Sequence, residues 1–419
     1  MLLRRLPLRP SSVTTRPDPV TLMGTLAGKR IVLGVTGGIA AYKAVEVCRR
    51  LVDAGAHVQP VMTDGALKMV GATTFSALAS ETVRTSLFGD PESPIPHTQM
   101  GQAADLVLVC PATARIISDI RTGRSADLLM STILATRAPV VVCPAMHTEM
   151  WEQPAVQENL EVLEQRGVLI VPPESGRLAG GDLGHGRLAE PATVVAHVER
   201  ALTEQDLLGR HVLVTAGGTR EPIDPVRVIS NRSTGKQGYA FAEEAWFRGA
   251  QVTLVTTVET PEPVGVRRVN VQTAADMQRA VESVDDADII VMAAAVADFR
   301  PADLAEHKLK KTDGIVPQIL LEKTHDFLVD LGEKKPDGQV LIGFAAETDD
   351  LVDNAKAKLA RKKLDLIVAN DVTQPGVGFG HDTNEVLIID ANGSCEHVPL
   401  TDKRDIARRV LDTAANKLG

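Results

Sequence analysis

The glycine pair Gly37-Gly38 stands between a short β-branched run and a helical pattern, within TGGIAAYK (36–43). Glycines at such a place let backbone N–H groups approach an anion, and the following helix N-terminus adds its positive end. The segment lacks the third glycine of GxGxxG, so the classical dinucleotide fingerprint is absent. The pattern therefore predicts either a phosphate-binding loop or a simple tight turn.

A second polar segment, STGKQG (233–238), contains a Gly-Lys pair at the expected start of another helix. No glycine stands at the required position upstream of Lys236, so the segment is not a Walker A loop. Asn231 adds a donor, and Arg227, four residues earlier, could clamp an anion. The alternative is an N-capped helix with a solvated charge.

A cluster of lysines follows in HKLKK (307–311), which places Lys308, Lys310 and Lys311 shortly after Asp298 at the end of an apolar run. A cationic cluster beside an acidic strand end is what a nucleoside triphosphate and magnesium require. A solvated charged surface is the alternative interpretation.

One histidine, His97, lies in PIPHTQMGQAAD directly before an apolar run. An imidazole at such a place can act as a base near neutral pH. The alternative is a surface helix cap.

The order strand, glycine loop, helix, strand occurs twice, from residue 30 and again from residue 211. Continuous apolar runs suit central strands of a parallel sheet, which are covered on both faces. We therefore predict an α/β protein with two doubly wound parallel-sheet domains, and a final polar strand pair over 385–399. The further strand candidates are 57–63, 105–112, 138–145, 287–296, 339–347 and 364–370.

Doubly wound sheets bind ligands at the carboxyl ends of their strands, where the loops gather. Glycine and proline also end strands for purely local reasons, but six such strand ends in one chain favour ligand sites. The six carry Gly37-Gly38, Pro111-Ala112-Thr113, Pro144-Ala145-Met146, Gly217-Gly218-Thr219, Asp298 and Phe344.

Composition excludes several classes of protein. A chain of 419 residues fits two or three domains. The net charge of −9 and the 3% of aromatic residues argue against a nucleic-acid partner. The four cysteines form no CxxC pair, which favours a reducing cytoplasm. No apolar run approaches the roughly 20 residues of a membrane span, so we expect no membrane partner.

Two segments are predicted to lack regular structure. Residues 1–28 hold four Arg and one acidic residue, so we expect a disordered tail or an upstream start codon with Met23 as the true start. A transit peptide is the alternative. Residues 173–191 are long and glycine-rich, which predicts either a mobile lid or a disordered connection.

Seven motifs in this order closely resemble one bacterial family, the bifunctional enzymes of coenzyme A biosynthesis. In this family a phosphopantothenoylcysteine decarboxylase is fused to a phosphopantothenate–cysteine ligase. The resemblance covers about residues 29–415. The motifs are TGGIAAYK, PATA, PAM-x-x-x-M-W, TAGGTREPIDPVRVISNRSTGKQG, AAAVADFR, KLKK and GFAAET.

The resemblance implies that residues 29–208 form a flavodoxin-like decarboxylase domain that binds FMN, with His97 as its active-site histidine. FMN would transiently oxidise the cysteinyl thiol so that CO₂ is lost easily. The residues implied to hold FMN are Gly37, Gly38, Ile39, Thr63 and Thr113, and those implied to hold the substrate are Ala145, Met146 and His147.

Two positions depart from the family pattern. His147 replaces an Asn that contacts the substrate carboxylate, and Gly180 stands where a loop Cys protonates the enethiol intermediate. His185, a tyrosine or water would then donate the proton. The alternative is that this half is an inactive FMN-binding regulatory module, which would leave only the ligase activity.

The resemblance implies that residues 209–419 form a Rossmann-like ligase domain. There CTP, with Mg²⁺, would activate the carboxylate of 4′-phosphopantothenate as an acyl-cytidylate, and the amine of cysteine would displace CMP. Asn231 and Arg227 match residues near this intermediate, and Lys308 matches the lysine of the second half-reaction. The residues implied to contact the nucleotide are Gly217, Gly218, Asp298, Lys308, His325, Asp326, Phe327, Leu328, Phe344, Lys358 and Lys362.

The resemblance also implies a homo-oligomer. Trimers of the decarboxylase half build the FMN site in the family, and the ligase halves pair as dimers, so a dodecamer would satisfy both symmetries. An NAD-dependent oxidoreductase is the remaining alternative, and the incomplete glycine fingerprint argues against it.

Overall fold

The computed structural model describes residues 25–89, 93–309, 318–347, 350–374 and 376–418. Within these ranges the chain forms two large sheets with helices on both faces, as the repeated sequence pattern predicts. None of the helices in these ranges has the length and apolar composition to cross a membrane. Residues 1–24 of the expected tail, together with Lys310 and Lys311, lie outside the described residues.

The first half of the chain holds nine helices and seven strands among its described residues. They are β1 (Arg30–Val35), α1 (Ala41–Asp53), β2 (His57–Met62), α2 (Asp64–Leu67), α3 (Ala72–Leu78), α4 (Pro96–Ala103), β3 (Leu106–Ala112), α5 (Ala114–Thr122), α6 (Leu128–Ala135), β4 (Val140–Pro144), α7 (Thr148–Trp151), α8 (Pro154–Gln165), β5 (Leu169–Ile170), β6 (Glu174–Arg177), β7 (Leu183–Arg187) and α9 (Pro191–Leu202).

Five of these strands form a parallel sheet in the order β2-β1-β3-β4-β5, which is the flavodoxin-like order. Helices cover both faces, so β3 is buried along its whole length. The buried residues of α1 recur at helical spacing, from Ala41 and Ala44 to Val47 and Leu51. The sequence-predicted strands of this half therefore form, and their apolar runs become the core.

The expected tail ends earlier than residue 28. The side chain of Leu26 is 1% exposed and packs into the core beside α1. Its backbone N–H donates to the carbonyl of Ala54 at 2.9 Å. The fold thus includes Leu26 rather than beginning at Lys29.

The prediction that residues 173–191 lack regular structure is wrong. β6 and β7 pair as an antiparallel hairpin, with Arg177 opposite Leu183. The hairpin glycines serve close packing, because a Cβ on Gly184 would collide with the hydroxyl of Thr148 at the start of α7. A Cβ on Gly186 would likewise collide with the carbonyl of Met146. Such a strand has no alternation of apolar and polar residues, so its sequence resembles a loop.

The second half holds twelve strands and five helices among its described residues. They are β8 (His211–Ala216), β9 (Arg220–Pro222), β10 (Val228–Ser230), α10 (Lys236–Phe247), β11 (Gln251–Thr256), β12 (Arg267–Asn270), α11 (Ala274–Glu282), β13 (Ile289–Met292), β14 (Phe299–Pro301), β15 (Leu321–Lys323), α12 (Phe327–Lys334), β16 (Val340–Glu347), α13 (Leu351–Arg361), β17 (Leu366–Asp371), β18 (Thr383–Asp390), β19 (Cys395–Asp402) and α14 (Lys403–Ala415).

Eight strands form the second sheet, in the order β12-β11-β8-β13-β16-β17-β18-β19. The first six are parallel, and β18 and β19 add an antiparallel edge, which is the predicted polar strand pair. The chain winds outward in one direction from β8 and in the other from β13. The crevice between these two strands is therefore the switch point at which doubly wound folds bind ligands.

A buried ion cluster joins the two halves. Arg404, near the start of α14, pairs with Glu199 of α9 at 2.5 Å and with Glu244 of α10 at 2.8 Å. The side chain of Glu244 is 2% exposed. Because all three elements meet at this cluster, it fixes the position of the first residues of α14.

The packing of α10 against β8 provides a test of the second core. A Cβ on Gly238 would lie 2.6 Å from the Cβ of Ala216, so Gly238→Ala should destabilise this domain by about 2 kcal/mol through overpacking. Calorimetry should then show its unfolding transition lowered by about 4–8 °C. The control Gly71→Ala, whose new Cβ would meet only the Thr74 hydroxyl at 3.9 Å, should shift unfolding far less. Equal shifts in the two variants would contradict this account of the helix–strand contact.

Candidate active sites

A cavity of about 630 Å³ opens at the carboxyl ends of β1, β3 and β4. This volume lies within the range of about 300–1,000 Å³ that is usual for small-molecule sites. The cavity brings together seven of the residues predicted from the sequence. They are Gly37, Gly38, Ile39, Thr113, Ala145, Met146 and His147.

The loop between β1 and α1 presents backbone donors to this cavity. In the described ranges, the N–H groups of Ile39 and Ala40 have no backbone partner. Thr36 ties the loop to the end of β3, since its hydroxyl donates to the carbonyl of Pro111 at 2.6 Å. Free N–H groups at the start of α1 suit an anionic or carbonyl group, so this loop could accept a phosphate.

Close packing explains why residue 37 is a glycine, and the sequence alone does not reveal this contact. A Cβ there would lie 2.8 Å from the Cα of Gly65, in the short helix α2 after β2. Thr63, predicted to contact FMN, is not among the residues that line this cavity in the described structure. Its hydroxyl instead caps α2 by accepting from the N–H of Ala66 at 3.3 Å. Thr63 therefore caps the helix whose Gly65 packs against Gly37.

His97 lies in the first turn of α4 and does not line the cavity within the described chain. Because α4 leads into the start of β3, its first turn lies at the carboxyl edge of the same sheet. The Nδ1 atom of His97 is buried without a hydrogen-bond partner. A buried imidazole nitrogen of this kind is costly unless something else satisfies it.

His147 links the cavity to the hairpin. Its Nδ1 bonds the carboxylate of Glu149, and its Nε2 lies 3.2 Å from Oδ2 of Asp182, between β6 and β7. The hydrogen bond to Glu149 is the largest cause of a raised pKa for His147, although partial burial opposes it. The imidazolium form is thus favoured beside the cavity.

A second cavity, of about 140 Å³, lies at the switch point of the second sheet. It is walled by the start of α10, by the residues after β13 and by Phe344 of β16. Asn231 is tied to the same edge, since its Nδ2 donates to the carbonyls of Ala295 and Val296, each at 3.2 Å. The predicted polar segment 233–238 therefore does line a cavity.

The glycine pair Gly217-Gly218 does not line this cavity in the described structure. Gly217 has φ +89°, and its missing side chain leaves room for Thr257. A Cβ on Gly218 would lie 2.7 Å from the carbonyl oxygen of Asn231. This pair lets the chain at Asn231 pass closely over the end of β8, rather than approaching the cavity itself.

Asp224 is a positioning residue that sequence reasoning missed. Its buried carboxylate accepts the N–H groups of Val226 and Arg227, each at 2.8 Å, and that of Leu309 at 3.2 Å. Burial opposes its ionisation, but these donors and the Arg227 guanidinium outweigh burial and lower its pKa. Asp224 therefore fixes Arg227 next to the segment that carries the exposed Lys308.

The remaining predicted nucleotide residues lie around the ends of β14, β15 and β16. Asp298 is exposed, and its carbonyl accepts the N–H of Thr324 at 3.0 Å, which ties it to the segment 325–328. Phe327 is only 2% exposed and Leu328 packs on the core, so their predicted contact would have to come from the backbone. The basic residues of this predicted nucleotide set each pair with an acidic side chain. The pairs are His325 with Asp330, Lys358 with Glu347, and Lys362 with Asp326.

Lys403 is a second residue that the sequence did not single out. It lines the second cavity, is 7% exposed, and its Nζ donates to the carbonyl of Gly378 at 3.2 Å. Among the described residues no carboxylate forms an ion pair with it. Burial, followed by the charge of Lys236, lowers the pKa of Lys403 to about 8, although Asp382 opposes this. A buried ammonium without an acid partner suits an anionic ligand.

Two family models match the chain, one for each half. The flavoprotein family matches residues 20–203, and the DNA/pantothenate metabolism flavoprotein C-terminal domain matches residues 207–418. A crystal structure of the C-terminal domain of a coenzyme A biosynthesis bifunctional protein is 39% identical with a TM-score of 0.44, and the match covers 51% of this chain and 98% of that one.

Curated relatives match along nearly the whole chain. The coenzyme A biosynthesis bifunctional protein CoaBC of Bacillus subtilis (strain 168) is 46% identical over 397 residues, or 93% of this chain and 97% of the relative. The protein of the same name from Vibrio cholerae is 44% identical over 394 residues, or 93% and 98%. The chain therefore belongs to the family of bifunctional enzymes of coenzyme A biosynthesis that its motifs resemble.

Proposed function

We propose that this chain catalyses two consecutive steps. In the first, the domain of residues 209–419 joins cysteine to 4′-phosphopantothenate at the expense of CTP. In the second, the domain of residues 29–208 decarboxylates the product, phosphopantothenoylcysteine, to 4′-phosphopantetheine with FMN bound. The observation that carries the proposal is that each half holds a cavity at the carboxyl ends of its parallel strands, with polar motif residues on or beside its wall.

In the ligase step the carboxylate of 4′-phosphopantothenate must become a good acylating agent. Transfer of a cytidylyl group from CTP to this carboxylate would provide the leaving group. Arg227 and Lys308 would offset the negative charge that develops on the phosphates, and the amide of Asn231 would hold the acyl-cytidylate. Asp224 supports this role because its carboxylate accepts the backbone N–H groups of Arg227 and Leu309, which holds together the two segments that carry Arg227 and Lys308.

Mg²⁺ would enter this site with the nucleotide. In the described ranges no group of three or more His, Cys, Asp or Glu side chains could hold a metal ion. Mg²⁺ is commonly held by substrate phosphates with one or two carboxylates and water. The exposed carboxylate of Asp298 is available for this role.

The first cavity fits FMN. The free N–H groups of Ile39 and Ala40 would hold the phosphate, with Thr113 and Met146 on the walls. Bound there, the flavin supplies reversible oxidation of the substrate thiol, which makes CO₂ a good leaving group. Ala145, Met146 and His147 would hold the substrate, with the His147 cation close to its carboxylate.

A homo-oligomer would complete this site. Ile39 and Tyr42, at the mouth of the cavity, are both 63% exposed, and apolar side chains so exposed suit an interface. A neighbouring copy seated there would cover them and would let its His97 reach the cavity. A trimer fits this arrangement, and pairing of the ligase halves would extend it to a dodecamer.

The reducing cytoplasm remains our proposed location. All four cysteines are free, with Cys48, Cys110 and Cys143 buried and Cys395 exposed. Structural disulfides mark oxidising compartments, so free thiols support this location.

The proposal predicts the products of a coupled assay. Wild-type enzyme given 4′-phosphopantothenate, cysteine, CTP and Mg²⁺ should form 4′-phosphopantetheine, as followed by mass spectrometry. His97→Asn should stop at phosphopantothenoylcysteine, because the ligase half is intact while the decarboxylase lacks its imidazole. If the wild type also stops there, the first half is a binding module. If no amide forms, the ligase assignment fails.

Lys403 predicts a pH dependence of CTP binding. Its ammonium is present below a pKa of about 8 and is lost above it, so the affinity for CTP should fall by up to roughly tenfold per pH unit from pH 8 upwards. Lys403→Met should bind CTP weakly at pH 7 and show no such slope, as measured by calorimetry. The control Lys356→Met, on the exposed face of α13, should keep the wild-type profile. A wild-type profile in Lys403→Met would show that Lys403 only holds the loop at Gly378.

A further inference from the structure

The two positions that depart from the family pattern, His147 and Gly180, lie side by side. A Cβ placed on Gly180 would be 3.4 Å from Nε2 of His147 and 3.2 Å from Oδ2 of Asp182. The two residues are 33 positions apart in the chain, yet the hairpin folds one against the other. A cysteine at position 180 and an imidazole at position 147 would therefore deliver a proton to nearly the same place.

We propose that His147 is the proton donor of the decarboxylase half, in the place of the loop cysteine that this chain lacks. The inference rests on the proposed decarboxylation. It assigns a catalytic group to a position that the resemblance implies only for substrate binding.

The surroundings of His147 suit a proton donor. Glu149 holds Nδ1, which fixes the ring so that Nε2 points to the hairpin tip at Gly180 and Asp182. Both carboxylates raise the pKa of His147, with the Glu149 hydrogen bond as the largest cause. The side chain is 38% exposed, so the ring can regain a proton from water.

The positively charged side chains that other elements bring to this cavity do not compete with His147 for Glu149 and Asp182. Arg187 of β7 and Lys43 of α1 both pair with Glu190. Arg177 of β6 lies on the cavity wall. A guanidinium does not release its proton near neutral pH, so neither arginine competes with His147 as an acid.

The other candidate donors fit less well. His185 lies on β7 with Nδ1 2.9 Å from the hydroxyl of Ser175, and within the described structure it does not line the cavity. Successive residues of a strand point to opposite faces, so the side chain of His185 points away from the cavity, which its neighbour Gly186 lines. Tyr42 does line the cavity, but a phenol is a far weaker acid than an imidazolium.

Loss of CO₂ leaves a double bond between the former α-carbon and the carbon that bears a thiolate. The Nε2–H bond of His147 breaks, and the electron pair of the double bond forms a C–H bond at the former α-carbon. A lone pair of the sulfur forms C=S, so the charges of the thiolate and of the imidazolium cancel. The hydride given up when the thiol was oxidised would then return from the flavin to this carbon, and a proton to the sulfur, which gives the thiol of 4′-phosphopantetheine. The neutral imidazole then takes a proton from water.

Restoring the family residues provides the test. In a single turnover of the flavin-loaded enzyme with phosphopantothenoylcysteine, His147→Asn should still release CO₂ but should form 4′-phosphopantetheine at least about 100-fold more slowly, the usual minimum for a lost general acid. The enethiol should accumulate and be visible by mass spectrometry. The double variant His147→Asn with Gly180→Cys should recover most of the rate. Gly180 has no left-handed backbone, and the tight 3.2 Å contact of its new Cβ falls on the carboxylate end of the Asp182 side chain, which can move aside for cysteine.

A second readout does not depend on turnover. NMR titration of the His147 ring should give a raised pKa in the wild type and a lower one in Glu149→Gln, because the Glu149 hydrogen bond is removed. The rate of 4′-phosphopantetheine formation should follow this shift along the pH axis. His185→Asn, which removes the rival imidazole, should leave both the titration and the rate unchanged.

Each unexpected outcome has one meaning. If the wild type releases no CO₂, the proposed decarboxylation itself fails. If His147→Asn forms 4′-phosphopantetheine at the wild-type rate, His147 is not the donor. If His147→Asn releases no CO₂ and Gly180→Cys does not rescue it, His147 acts in substrate binding and the inference is overturned.

Discussion

In a parallel sheet all strands end at one edge, and both halves of this chain depend on that constraint. The pairing of β1 with β3 and of β3 with β4 brings the loops at Gly38, Thr113 and Met146 to one cavity. The pairing of β8 with β13 and of β13 with β16 does the same for the start of α10 and Phe344. Residues distant in sequence thus share a site because the backbone hydrogen bonds leave their strands no other alignment.

The helix α14 connects this edge to the interface between the halves. Its first residue, Lys403, lines the second cavity, and its second, Arg404, forms the buried ion cluster with Glu199 and Glu244. Removing one member of such a cluster leaves uncompensated buried charge. The position of the Lys403 cation in the second cavity is therefore held in part by α9 of the other half, which gives the two halves a structural reason to stay together.

The sequence predicts the strands well because central parallel strands are continuous apolar runs, and it predicts the edge of each sheet at which the two cavities open. It fails where a residue's role depends on a contact between distant segments. The approach of Gly37 to Gly65, the capping role of Thr63 and the three backbone bonds of Asp224 have no local signal. The hairpin of β6 and β7 was missed because its glycines are selected for packing against Thr148 and Met146, not for strand propensity.

We expect the two separate cavities at the strand ends to hold two different ligands. Amide hydrogen exchange of the full chain, measured with FMN alone and with CTP and Mg²⁺ alone, tests this expectation directly. We expect FMN to slow exchange in residues 37–42 and at the hairpin of β6 and β7, and CTP to slow it in residues 233–238 and near Phe344. Protection by both ligands in one half, or by either ligand away from these strand ends, would contradict the account.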